Sequence, residues 1–216
     1  MIACALMQYG GIKKMPAYFS IIFEIKKENL YDELYNDFIK ILEREGFVFK
    51  SGFWGFEDTP LEDIIAWNSA KLKKDFEIGY DEHFSNDYKQ ICWDYHIFSE
   101  VRHYIMNSKG KDTFTFDIII PEDDFIQFHR GKVTYDQNIT DALIQLVRNI
   151  WEWEYIEDIQ TMLELSEVPP SYEKLLAGAM PSVEPFAIIP KTLYNNKMGE
   201  DYSISAIGRN GLLLKL

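Results

Sequence analysis

The sequence predicts an α+β fold: a β-α-β-α start, a central antiparallel meander, a long helix and a C-terminal β-hairpin, with helices packed on one face of a mainly antiparallel sheet. Three observations predict it. Apolar spacing switches between period 2 and period 3.6 along the first 75 residues. The middle of the chain holds three β-like runs in succession with no helical spacer. A 216-residue chain that is 47% hydrophobic and 15% aromatic has enough apolar side chain for one large core.

Residues 17–26 (AYFSIIFEIK) are rich in β-formers and read as the first strand. Asn29 is the expected cap of a helix on which Leu30, Leu34, Phe38 and Leu42 form one stripe. Gly46 stands where a left-handed C-terminal cap belongs. A second strand follows over 47–56. Thr59-Pro60-Leu61-Glu62 then matches a capped start with proline in the first turn, and Lys71, Lys73 and Lys74 suit the negative end of that helix.

Residues 79–86 (GYDEHFSN) read as an acidic loop, followed by strands over 88–97, 101–107 and 113–120. In the third, Phe114, Phe116, Ile118 and Ile120 share one face and Thr113, Thr115 and Asp117 the other. The longest helix is expected from near Asn138 toward Ser166, stopped by Pro169 and Pro170. A short helix over 171–178 and a proline-punctuated segment come next. Asn210-Gly211 then signals a closing hairpin between 202–208 and 212–216. Residues 1–14, ahead of Met15, are expected to be a flexible lead, and 15–216 a single α+β domain.

The formal charge is −13, and it is uneven: residues 51–100 hold 11 acids against 4 bases, and residues 151–216 hold 10 against 5. Such a surface repels a phosphate backbone, so no nucleic-acid partner is expected. No run reaches the ~20 apolar residues of a membrane span. Two cysteines, Cys4 and Cys92, offer no disulfide framework, so a cytoplasmic home is expected. Phosphate-binding glycine loops, H-E-x-x-H, G-x-S-x-G and paired C-x-x-C are all absent from the sequence. No cofactor is expected.

Two constellations carry chemistry if the strands align. Cys92, Asp94 and His96 point one way on a strand and, with His103, offer metal-ligand types, although C-x-D-x-H has no established mechanics. If Asn107 pairs with Thr113, then His103 faces Asp117, and an Asp-oriented imidazole can act as a general base. Asp94, His96, His103 and Asp117 are therefore the candidate catalytic set of a metal-assisted or His/Asp-dependent hydrolase. Glu24-Ile25-Lys26 matches the E-x-K end of a metal-dependent nuclease site, but no earlier acid accompanies it. Phe128 to Lys132 reads as a surface turn.

Rings also alternate with carboxylates, in FWGFED (53–58), YDEHFSNDY (80–88), CWDY (92–95) and WEWEY (151–155). Aromatics anchor interfaces and carboxylates steer cationic partners. The expected function is therefore non-enzymatic binding that sequesters a basic protein, with Asp81, Glu82, Asp87, Glu152, Trp153, Glu154 and Glu157 as the contact residues. Bacterial immunity proteins that neutralise a cognate toxin share this make-up of small, acidic, aromatic-rich and motif-poor chains, a likeness of composition that covers no motif. A structural subunit of a larger assembly is the third reading, and the oligomeric state is left open.

Overall fold

A computed structural model describes residues 16–77, 86–129 and 132–216. Among them nine strands form one sheet, and every pair of neighbours runs antiparallel. In chain order the elements are β1 (Tyr18–Lys26), α1 (Leu34–Arg44), β2 (Val48–Gly52), α2 (Leu61–Lys73), β3 (Ile91–Asp94), β4 (Val101–Met106) and β5 (Thr113–Pro121). There follow β6 (Ile126–His129), β7 (Lys132–Tyr135), α3 (Gln137–Trp151), β8 (Ile156–Met162), α4 (Tyr172–Leu176), β9 (Phe186–Pro190), α5 (Met198–Asp201), β10 (Ser203–Ile207) and β11 (Gly211–Lys215). The sheet order is β10-β11-β9-β8-β1-β5-β4-β3-β2, with β6 and β7 a separate hairpin. The expected lead, residues 1–14, lies outside the described residues.

β1 sits at the centre because its alternation serves two layers. Phe19, Ile21, Phe23 and Ile25 are fully buried on one face, against Phe38 of α1 and Phe116 and Ile118 of β5. Ser20, Glu24 and Lys26 lie on the other. α1 begins at Leu34 with Glu33 at its cap position, so Asn29 does not cap it and Leu30 precedes it. Leu34, Phe38 and Leu42 of the expected stripe are buried, and Gly46 ends the helix at φ +97°, so that Phe47 N–H reaches Leu42 O at 3.1 Å. α2 starts at Leu61, but the Thr59 side chain does not cap it, and Pro60 takes the cap position. The buried Asn68 instead ties α2 to α1 and to the segment leading into β3, donating to Tyr35 Oη at 3.0 Å and Lys89 O at 2.9 Å while accepting from Lys89 N–H at 2.8 Å.

The expected long helix is correct in its first half only. Asp136, not Asn138, caps it, accepting from the Asn138 and Ile139 amides at 2.9 and 3.1 Å. The helix stops at Trp151, and residues 156–162 are a strand beside β1. A bulge explains the misreading. Glu24 pairs with Asp158 and Ile25 with Ile156, so Glu157 is the extra residue. Ile156 and Ile159 then both face the core three residues apart, which copies helical spacing.

Helices cover both faces, not one. α1, α2 and α3 pack on the large core. Leu175 of α4 and Met198 of α5 cover a smaller apolar cluster on the reverse face, with Ala187, Ile189, Leu212 and Leu214. The proline-punctuated stretch supplies β9 inside the sheet, and β6–β7 adds a hairpin that the sequence reading did not anticipate.

The closing hairpin turns at Arg209 and Asn210, with φ of +52° and +53°, the geometry of a tight two-residue turn. It also locks the end of α3. The Arg209 guanidinium donates to the carbonyls of Trp151, Trp153, Glu154 and Ile156, and lies over the Trp151 ring at 4.3 Å. Trp151 Nε1 returns a bond to Gly208 O at 2.9 Å. The planar fork, more than the charge, is what meets four carbonyls, so Arg209→Lys is expected to lower unfolding free energy by about 2 kcal/mol in urea melts despite the retained cation. A loss no larger than that of an ordinary surface substitution would refute this role.

Candidate functional site

α3 and β8 meet in a turn that carries WEWEY, and Arg209 fixes its path from beneath. Glu152 and Glu154 are exposed, while Trp153 is half-buried between them. The Trp153 ring packs against Phe38 (5.8 Å between centroids) and Tyr155 (5.4 Å), and Tyr155 against Tyr31 (5.1 Å). One edge of Trp153 therefore belongs to the core. The other lines a cleft of about 700 Å³ with Asp37, Lys40, Ile41, Glu43 and Arg44 of α1.

The lining itself balances Asp37 and Glu43 against Lys40 and Arg44. The excess of acid comes from Glu152 and Glu154, which flank Trp153 in the chain, and from Glu45, which accepts from Asn149 Nδ2 of α3 at 2.7 Å. Asp37 accepts from Tyr31 Oη at 2.8 Å and from Lys40 Nζ at 3.2 Å, and these bonds hold its carboxyl below the usual range. Lys40 is thus partly committed to Asp37. Beneath the turn, the Arg209 cation faces Glu157, Glu152 and Glu154.

The remaining candidate contact residues do not join this surface as a group. Glu157, the bulged residue, turns to Lys26 Nζ at 3.4 Å and Asn29 Nδ2 at 3.4 Å. The Asp87 carboxylate accepts from Tyr88 N–H at 2.6 Å, and its carbonyl accepts from Trp67 Nε1 at 2.9 Å. Asp81 and Glu82 lie outside the described residues.

The candidate catalytic set is dispersed. In the observed register His103 pairs with Ile118, and it is Tyr104 that pairs with Asp117, one residue away from the expected alignment. The shift puts Val101, His103 and Ile105 on the core face opposite Phe116, Ile118 and Ile120, which burial of that face demands. Asp117 projects to the reverse face, and only its backbone carbonyl meets His103, at 3.1 Å from Nδ1. That acceptor makes Nδ1 the protonated nitrogen. Burial pushes the imidazole down to about 4, among the rings of Tyr35, Phe38 and Phe116.

Asp94 and His96 are exposed at the end of β3, where Asp94 pairs with Lys50 at 3.1 Å. Half-buried Cys92 stands opposite Arg102, on the face away from His103, and burial pushes its thiol up. The proposed ligands Cys92, Asp94, His96 and His103 therefore do not converge. No group of three or more His, Cys, Asp or Glu among the described residues is arranged to hold a metal ion.

Sequence reasoning missed a different cluster, on the reverse face of the sheet. Glu24 and Asp158 are direct cross-strand neighbours, both buried. Glu24 accepts from Thr113 Oγ1 at 2.6 Å and from Tyr172 N–H, at the start of α4, at 2.9 Å. Asp158 Oδ1 accepts from Gln160 Nε2 at 2.9 Å, whereas Oδ2 has no donor among the described residues. Burial, and then the charge of Glu24, push Asp158 well above the usual carboxylate range. A rise in this direction favours the protonated form of Asp158 beside Glu24. Asp117, on the same face, is pushed up to about 7 by burial, against hydrogen bonds from Thr115 and Tyr104. The signal was present as Glu24 on a polar strand face, but its partner comes later in the chain, inside the stretch read as helix.

No family model, characterised protein or solved structure matches the chain. Among the described residues no helix is long and apolar enough to cross a membrane.

These buried groups set the pH response. Asp117 ionises near 3.8 when unfolded and about 7 when folded, so its contribution to stability is fully present below 3.8 and lost as pH rises toward 7. His103 opposes it, because stability falls as pH drops from about 6.5 to about 4. The two slopes offset each other between about 4 and 6.5, and only the carboxyl penalty continues above. Asp117→Asn is expected to gain roughly 1–3 kcal/mol at pH 8, less than the ~4 kcal/mol of a three-unit shift, and to flatten the decline above pH 6.5. Urea melts of both proteins across pH 5–9 measure this, and parallel curves would show that Asp117 ionises normally.

Proposed function

We propose that the chain is a non-enzymatic binding protein that captures a basic protein partner through the acid-rimmed cleft between α1 and the α3–β8 turn. The observation that carries this reading is Trp153, half-buried and held on one edge by core rings, with Glu152 and Glu154 exposed on either side. A ring already fixed in place loses little conformational entropy on binding, so it suits an anchor. Carboxylates at the rim accelerate encounter with a Lys- or Arg-rich surface and select against acidic competitors. The net charge of −13 acts in the same direction at longer range. Arg209 supports the surface from inside, because its bonds to four successive parts of the turn leave those carbonyls satisfied without partner or water.

The mechanism of such a protein is occlusion. It covers the partner's basic surface and needs no chemical step, in keeping with the dispersal of Asp94, His96, His103 and Asp117. A cytoplasmic setting is part of the same proposal, resting on the cysteine content.

The test is affinity capture from host lysate at about 50 mM and about 500 mM salt, with wild type beside the Glu152→Lys/Glu154→Lys double variant and Trp153→Ala. A basic protein retained by wild type at low salt is expected. The double variant should lose about tenfold or more in affinity together with most of the salt dependence, and Trp153→Ala should lose affinity while keeping the salt slope. Capture that is equal for all three proteins would remove the cleft from the interface.

A further inference from the structure

The two edges of the nine-stranded sheet are not equivalent. β2, at one edge, carries the exposed Lys50 and a bulge between Phe49 and Ser51, features that discourage pairing with a foreign strand. β10, at the other edge, reads SISAI, with no charge, proline or irregularity in its five-residue ladder to β11. Among the described residues no strand pairs with its outer side. Unpaired N–H and C=O groups along such an edge are a template for an added strand.

Next to this edge, on the reverse face, lies a cleft of about 400 Å³ lined by Lys191, Tyr194, Gly199, Tyr202, Ile204 and Leu212. Ile204 belongs to β10 itself, so a strand laid along β10 would carry alternate side chains over this cleft. Acids stand at both ends of β10. Glu200 and Asp201 precede it, and at the far end the Glu152 carboxyl lies against Gly208. The edge therefore continues into the acidic turn that carries Trp153. A second copy of the chain would bring another −13 to this contact, whereas a cationic segment would be attracted.

We infer that β10 receives an extended segment of the basic partner by strand addition, with one large apolar side chain of that segment seated among Tyr194, Tyr202, Ile204 and Leu212. This rests on the reading of the chain as a binder of basic proteins, and it adds where and in what conformation the partner docks. Main-chain hydrogen bonds to β10 supply affinity and the apolar cleft supplies selectivity.

The experiment titrates full-length ¹⁵N-labelled protein with heptapeptides KTVXVTK, where X is Phe, Tyr, Leu or Ile. The controls are ETVXVTE and a version of each basic peptide N-methylated on alternate residues. Expected are shifts and slowed exchange of the Ser203–Ile207 amides with at least one basic peptide, lost on N-methylation and absent with the acidic set. Ile204→Lys should weaken that binding about tenfold or more, with the amide spectrum of β1 and β8 unchanged as the control for folding.

Three results would overturn the inference. The first is no basic peptide binding below about 1 mM. The second is binding that survives N-methylation and maps to Trp153, which would leave the basic-partner reading intact while removing the strand. The third is concentration-dependent shifts of β10 without peptide, which would assign the edge to a second copy. Binding of the acidic peptides in place of the basic ones would instead strike at the basic-partner reading itself.

Discussion

The two-sided pairing of β1 is the interaction on which the rest of the molecule depends. It joins β5 over nine residue pairs, from Tyr18–Pro121 to Lys26–Thr113, and on its other side it meets β8. Among the described residues no other strand connects the β2–β5 half of the sheet to the β8–β11 half. Its alternation also separates the two layers, placing Phe19, Ile21, Phe23 and Ile25 under the large helices and Ser20, Glu24 and Lys26 on the reverse. A charge on the first face would have no charged partner there, since apart from the buried His103 the lining around Phe19 to Ile25 is aliphatic and aromatic. The charges that β1 does carry are tolerated because Thr113 of β5 and the Tyr172 amide at the start of α4 donate to Glu24, while Glu157 of β8 pairs with Lys26.

Acidity in this chain consequently has two unlike uses. Glu24, Asp117 and Asp158 are interior groups whose negative charge is suppressed by burial, so they add nothing to the external field when neutral. Glu152, Glu154, Glu43 and their neighbours are exposed and carry that field. Formal charge overstates the surface by counting both kinds. Part of what remains flanks Trp153 and reaches the β10 end of the sheet through Glu152. The interior acids cost stability in a fold that needs none of them for packing, and the bond from Tyr172 N–H to Glu24 ties α4 to β1 in exchange.

Alternation and periodicity made most of the fold legible in the sequence. The Phe114–Ile120 face, the α1 stripe, the Gly46 cap and the Arg209-Asn210 turn could all be assigned because each is specified by residues within a few positions of one another. Two features were not legible because they depend on pairing partners distant in sequence. The Glu157 bulge gave β8 the i, i+3 apolar spacing of a helix, and only contact with Ile25 and Glu24 reveals it as a strand. The β4–β5 register is set by burial of Val101, His103 and Ile105 against Phe116, Ile118 and Ile120, while Asn107 stands outside the ladder and its side chain donates to Asp75 Oδ1 and Phe76 O at 3.0 Å each. Of the candidate site, the adjacency of Glu152, Trp153 and Glu154 was legible, but the α1 wall of the cleft and the Arg209 support were not, since α1 and the hairpin lie about 110 and 55 residues away from Trp153 along the chain.

The placement of Arg209 has a consequence for how the proposed surface behaves. The residue belongs to the β10–β11 turn, while the carbonyls it satisfies belong to the α3–β8 turn, so the sheet edge and the acidic turn are held as one body. A partner that contacts both does not have to order one against the other, and that part of the association cost is already met by folding. The same geometry keeps a cation directly beneath three carboxylates. Arg209 lowers the mutual repulsion of Glu152, Glu154 and Glu157, yet its guanidinium is spent on backbone oxygens. Acids flanking a committed cation leave this five-residue turn negative as well as structurally tied, which is what the proposed binding role asks of it.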